Sequence, residues 1–74
     1  MTAMSTYNYK FKNEGQLDYF LSVITDGSKL PVALPEYEAP EFRMVAPLTV
    51  EMDVPNILEE LYDRIFLTAR KIAA

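Results

Sequence analysis

The last third of the chain constrains the fold most. Wound at about 100° per residue, residues 53–74 put Leu58, Leu61, Tyr62, Ile65, Ala69 and Ile72 on one stripe, with Ile57 at its margin. Glu59, Glu60, Asp63, Arg70 and Lys71 take the other side. The acids Glu59, Glu60 and Asp63 precede the bases Arg64, Arg70 and Lys71, the order the helix dipole favours, and Glu60 with Arg64 adds an i,i+4 pair. The spacing therefore predicts one long amphipathic helix. Its stripe must lie against something, and in a chain of 74 residues the preceding segments are the only candidates.

Those segments supply strands and one more helix. Residues 6–12 alternate, with Tyr7, Tyr9 and Phe11 on one face and Thr6, Asn8, Lys10 and Lys12 on the other, which predicts a half-buried strand. Lys10 and Lys12 suit a protected edge. Asn13 and Gln16 have the spacing of a capping box. In residues 14–25 a second helix buries Leu17, Phe20, Leu21 and Ile24, flanked by Tyr19 and Val23, and Gly27 is expected to close it in a left-handed cap.

Residues 29–34 offer a short strand that Pro31 confines to an edge. Residues 35–42 (PEYEAPEF) are expected to run extended without ladder partners. In residues 43–54, Met44, Ala46, Leu48, Val50, Met52 and Val54 alternate with Val45, Pro47, Thr49, Glu51 and Asp53. Pro47 conflicts with a central strand, so pairing is expected to start near Leu48 or to carry a bulge there. Asp53 or Val54 then caps the final helix, with Pro55 in its first turn. The order β-α-(β)-β-α predicts a single small two-layer α+β domain over residues 1–74. Two or three strands would carry two helices on one face.

Composition supports a folded core, since half the residues are apolar. No apolar run reaches the ~18–20 residues of a membrane span, and residues 1–5 do not open a signal peptide. A cytoplasmic location is expected, in the host cell if the protein is viral.

The missing side chains bear on chemistry. The chain has no histidine and no cysteine, so the commonest general base, the thiol nucleophile and the usual zinc ligands are lacking. Its two glycines, Gly15 and Gly27, build neither a phosphate-cradling loop nor a dinucleotide fingerprint. Glu36, Glu38 and Glu41 lack the Asp/Asn ladder and central glycine of a calcium loop. The expectation is a protein without catalysis, cofactor or metal.

Charge singles out the middle of the chain. Residues 1–29 and 56–74 each balance, and residues 30–55 hold Glu36, Glu38, Glu41, Glu51 and Asp53 against Arg43, which supplies the whole net charge of −4. There the prolines stiffen a segment carrying Tyr37 and Phe42 amid three acids. Phe66 and Leu67 lie beyond the stripe of the last helix, a second apolar surface. The expected partner-binding residues are Glu36, Tyr37, Glu38, Glu41 and Phe42, together with Phe66 and Leu67.

The function expected is a non-catalytic protein-binding module, such as a phage- or plasmid-encoded accessory protein that inhibits or bridges a larger partner. That partner is another protein with a basic surface, and the C-terminal helix offers a route to homo-oligomers. A minor structural component of a virion or other large assembly is one alternative. Weak nucleic-acid binding through Lys10, Lys12, Lys29 and Arg43 is another, opposed by the net acidity.

Overall fold

The computed structural model describes residues 3–31, 34 and 36–73. Three antiparallel strands, β1 (Met4–Lys10), β2 (Phe42–Ala46) and β3 (Thr49–Pro55), form one sheet in the order β1-β3-β2. Two helices, α1 (Glu14–Thr25) and α2 (Glu59–Ala69), pack on one face of it, giving the two-layer α+β architecture. Tyr9 stands opposite Val50 and Tyr7 opposite Met52, so the alternation of β1 and β3 turns both apolar rows toward the helices. Phe20, Ile24, Val50, Met52, Val54 and Tyr62 are fully buried between the layers. Each such side chain contributes about 1.5–3 kcal/mol relative to exposure. The open face of the sheet is polar: the Thr6 hydroxyl donates to Asp53 Oδ1 at 2.6 Å, and Arg43 pairs with Glu51.

Asn13 caps α1, its Oδ1 accepting from the Gln16 N–H at 2.9 Å. The other half of the capping box is redirected. Gln16 is buried, its Oε1 accepts from the Lys12 N–H at 2.9 Å, and its Nε2 donates to the carbonyls of Arg70 (3.1 Å) and Ile72 (2.9 Å). The start of α1 is thereby joined to the end of α2. Gly27 does not form the expected left-handed cap, because neither glycine has a positive φ. Asp26 ends the helix in an extended conformation, and a 3-10 turn, Gly27–Lys29, follows. What Gly27 provides is room: a Cβ there would lie 3.2 Å from Cδ2 of Tyr37.

Residues 43–54 are a hairpin, not one strand. The chain turns at Pro47 and Leu48, the latter at φ 58. Proline followed by a left-handed residue is the pattern of a type II turn. A left-handed leucine costs about 1–2 kcal/mol. The Leu48 carbonyl offsets this by accepting from the Phe11 N–H at 2.8 Å, while its side chain packs on the core. The irregularity expected near Leu48 lies between Met44 and Ala46, where the β2–β3 register shifts. The third strand of the sheet comes from the hairpin; the strand expected over residues 29–34 falls partly outside the described residues. Within that range, Lys29 ends the 3-10 turn, Leu30 is buried in the core, and 32 and 33 lie outside the described residues.

The final helix is shorter than its periodicity predicts. Strand β3 continues to Pro55 opposite Met4, and the Asn56 N–H donates to the Ala3 carbonyl at 2.9 Å. A 3-10 turn, Asn56–Leu58, then leads into α2. Pairing with β1 thus claims the residues expected to cap and open the helix. Tyr62, Ile65 and Ala69 hold the centre of the stripe, Leu58, Leu61 and Ile72 are half-buried, and Ile57 is 83% exposed. Among the described residues no helix is long and apolar enough to cross a membrane.

Candidate functional site

The acidic, proline-containing segment crosses one end of the helix layer as a strap. It is held by Tyr37, whose N–H donates to the Leu34 carbonyl at 3.1 Å and whose hydroxyl donates to the Ile24 carbonyl at 2.5 Å. The Tyr62 hydroxyl lies 2.7 Å from the Tyr37 hydroxyl. A phenol has one proton, and that of Tyr37 is on Ile24, so Tyr62 donates to Tyr37. Burial raises the pKa of Tyr37, and the hydrogen bond from Tyr62 works against that shift. Burial, then the bond to Tyr37, raises that of Tyr62 further. Tyr37, expected as a partner-binding side chain, is thus half-buried and spends its ring and hydroxyl holding the strap down.

Between the strap and the β3–α2 junction lies an open groove of about 540 Å³. Leu34, Tyr37, Pro55, Ile57 and Leu58 make its apolar wall, and the exposed Glu36 and Glu38 edge it. A second groove of about 370 Å³ adjoins it, sharing Glu38, Pro55 and Leu58 and adding Met4, Pro40, Glu41 and Asp53. Neither contains a lysine or an arginine among its lining residues. Two of the most exposed large apolar side chains among the described residues, Ile57 and Met4, belong to these walls. Among the described residues no group of three or more carboxylates is close enough to hold a metal ion.

Of the expected partner-binding residues, the structure gathers Glu36, Tyr37, Glu38 and Glu41 at the grooves and separates the others from them. Phe42 begins the edge strand β2 opposite Met52 and is 37% exposed. The helices do not cover that strand, and Met44 and Val45 also remain about half exposed. Phe66 joins the core, its ring 5.1 Å from that of Tyr9 and 5.3 Å from that of Phe11, with the Arg70 guanidinium 5.5 Å above it. Leu67 points away and stays exposed. The second apolar surface expected from Phe66 with Leu67 is thus divided between the core and solvent.

Sequence reasoning missed Met4, Pro55, Ile57 and Leu58 as groove residues, because it placed the last three in a helix. The cue available was Pro55-Asn56 directly after an alternating run, which suits a strand end as well as a helix start. The bases considered for nucleic acid are dispersed: Arg43 pairs with Glu51 on the open face of the sheet, while Lys29 lies in the helix layer after α1. Tyr7, Tyr9 and Phe11 face the helices. Compared by sequence and by structure, no known protein family, curated protein or solved structure matches the chain.

Proposed function

We propose that the protein is a non-catalytic binding module that captures another protein through the strap and its grooves. The observation that carries this reading is the pairing of an apolar wall at Pro55, Ile57 and Leu58 with Glu36, Glu38, Glu41 and Asp53, with no base in the lining. Exposed apolar side chains supply the affinity, and carboxylates in the only segment with excess charge steer a basic surface toward them. Fixing the strap through Tyr37 and its prolines lowers the ordering cost of binding. A module of this size acts by occupancy, inhibiting or bridging a larger partner.

The test starts from affinity capture in nuclease-treated lysate, then measures the captured protein against variants by surface plasmon resonance. Neutralising Glu36, Glu38 and Glu41 to glutamine is expected to lower the on-rate and its salt dependence. Ile57→Ser is expected to raise the off-rate about tenfold, the effect of losing roughly 1.4 kcal/mol. Binding indifferent to both changes, or no protein captured from the nuclease-treated lysate, would rule the reading out.

A further inference from the structure

The occupant of the grooves is limited by where the sheet stops. Strand β3 is paired with β1 from Thr49 to Pro55, but with β2 only from Thr49 to Met52. Past Met52 the chain before β2 leaves the sheet as the strap, and the second groove opens between strap and strand. Successive residues of a strand turn their N–H and C=O to opposite edges. The Asn56 N–H donates to Ala3 beside β1, so Val54, two residues earlier, also turns its backbone to β1, and Asp53 turns its own toward that opening. The floor of the groove is the edge of β3 at Asp53 and Pro55, its far wall is apolar, and its flanks are acidic.

We infer that the ligand is a short, extended, basic peptide segment of the partner, lying along β3 with one large apolar side chain set between Pro55, Ile57 and Leu58. Strand addition supplies main-chain hydrogen bonds, and alternate side chains supply specificity. The larger groove, about 540 Å³, lies in the range of ~300–1,000 Å³ typical of ligand pockets, so it takes a few side chains and not a folded face. Glu36 and Glu38 at the larger groove, and Glu38, Glu41 and Asp53 at its neighbour, select lysine or arginine beside the apolar residue. A second copy of this chain is disfavoured as occupant, because a net charge of −4 would meet the same acidic flanks. This inference rests on the protein-binding reading above, narrowing its partner to a linear segment.

A random peptide library displayed on phage, selected on the immobilised full-length protein, tests it. Enriched sequences are expected to carry one large apolar residue flanked by lysine or arginine. A synthetic peptide of that consensus should shift the amide resonances of Glu38, Asp53, Val54, Ile57 and Leu58 in the ¹⁵N-labelled protein. Exchanging its apolar residue for serine, or making Ile57→Ser in the protein, should each weaken binding about tenfold or more. Leu67→Glu should leave it unchanged. The inference fails if no sequence is enriched, if enriched sequences lack basic residues, or if their shifts map to β2 or the outer face of α2. It fails equally if concentration-dependent shifts at the groove occur without peptide, which would mark a second copy as occupant. Should the peptides fail while a captured protein still depends on Glu36, Glu38 and Glu41, the binding module stands and only the linear ligand falls.

Discussion

The Tyr62 hydroxyl donates to the Tyr37 hydroxyl across 2.7 Å, joining the strap to the first turn of α2. The two ends of this bond are not equivalent. Tyr37→Phe leaves both the buried Tyr62 O–H and the Ile24 carbonyl without their partner, whereas Tyr62→Phe leaves the Tyr37–Ile24 bond in place. A buried polar group left unpaired costs about 1–3 kcal/mol, against about 0.5–1.5 kcal/mol for the net loss of one bond. Urea unfolding should therefore rank Tyr37→Phe as the more destabilised variant. Equal midpoints would mean that Tyr37 is held by its ring alone.

Gln16 is expected to be the least replaceable polar residue, since one amide accepts from Lys12 and donates to Arg70 and Ile72. Gln16→Glu keeps the acceptor and turns a carboxylate toward two carbonyls. The folded state then raises the pKa of the new carboxyl above its unfolded value. The deficit is thus smallest below the unfolded pKa and grows as pH rises through the folded one. Thermal melts should show the variant closest to the parent in acid and furthest from it at neutral pH. A pH-independent difference would remove the electrostatic part of this account.

Tyr9 makes the opposite prediction. Its hydroxyl is buried without a hydrogen-bond partner, and burial, with Asp63 adding to it, pushes its pKa up to about 12. Removing an unpaired buried hydroxyl relieves a cost of roughly 1–3 kcal/mol, so Tyr9→Phe should stabilise the fold. The native state holds the tyrosine proton more tightly than the unfolded chain. Stability is then fully present below pH 10 and lost as pH rises toward 12, and the variant should lose less of it. Denaturant midpoints at neutral and alkaline pH measure both effects.

Neighbouring residues on α2 should respond in contrary ways. Phe66→Ala opens the aromatic cluster of Tyr9, Phe11 and Phe20 and should cost up to about 3–5 kcal/mol, less where the half-buried site relaxes. Leu67→Glu, at an exposed position, should change stability by no more than about 0.5 kcal/mol. Sedimentation of the same pair reads self-association. A shift in oligomeric state with Leu67→Glu and unchanged stability would return the helix surface to the role of an interface.

Periodicity and charge were legible without any coordinates, because each depends on residues close in sequence. The alternation of β1, the Asn13 cap, the stripe of Tyr62, Ile65 and Ala69, and the acidity of Glu36, Glu38 and Glu41 follow from pleat, helical pitch and composition. What distant contacts decide was not legible. Pairing of Met4 with Pro55 lengthened β3 at the expense of the helix, and so exposed Ile57. The left-handed Leu48 converted one expected strand into two, and the approach of Tyr37 to Gly27 tied the strap to the helix layer. Which segments carry an apolar face, and where the negative charge lies, follow from the order of residues along the chain, since these are local properties. Which of those faces are covered, and the meeting of charge with uncovered apolar surface in one groove, emerge in three dimensions alone. That outcome depends on hydrogen bonds and packing between residues far apart in the chain.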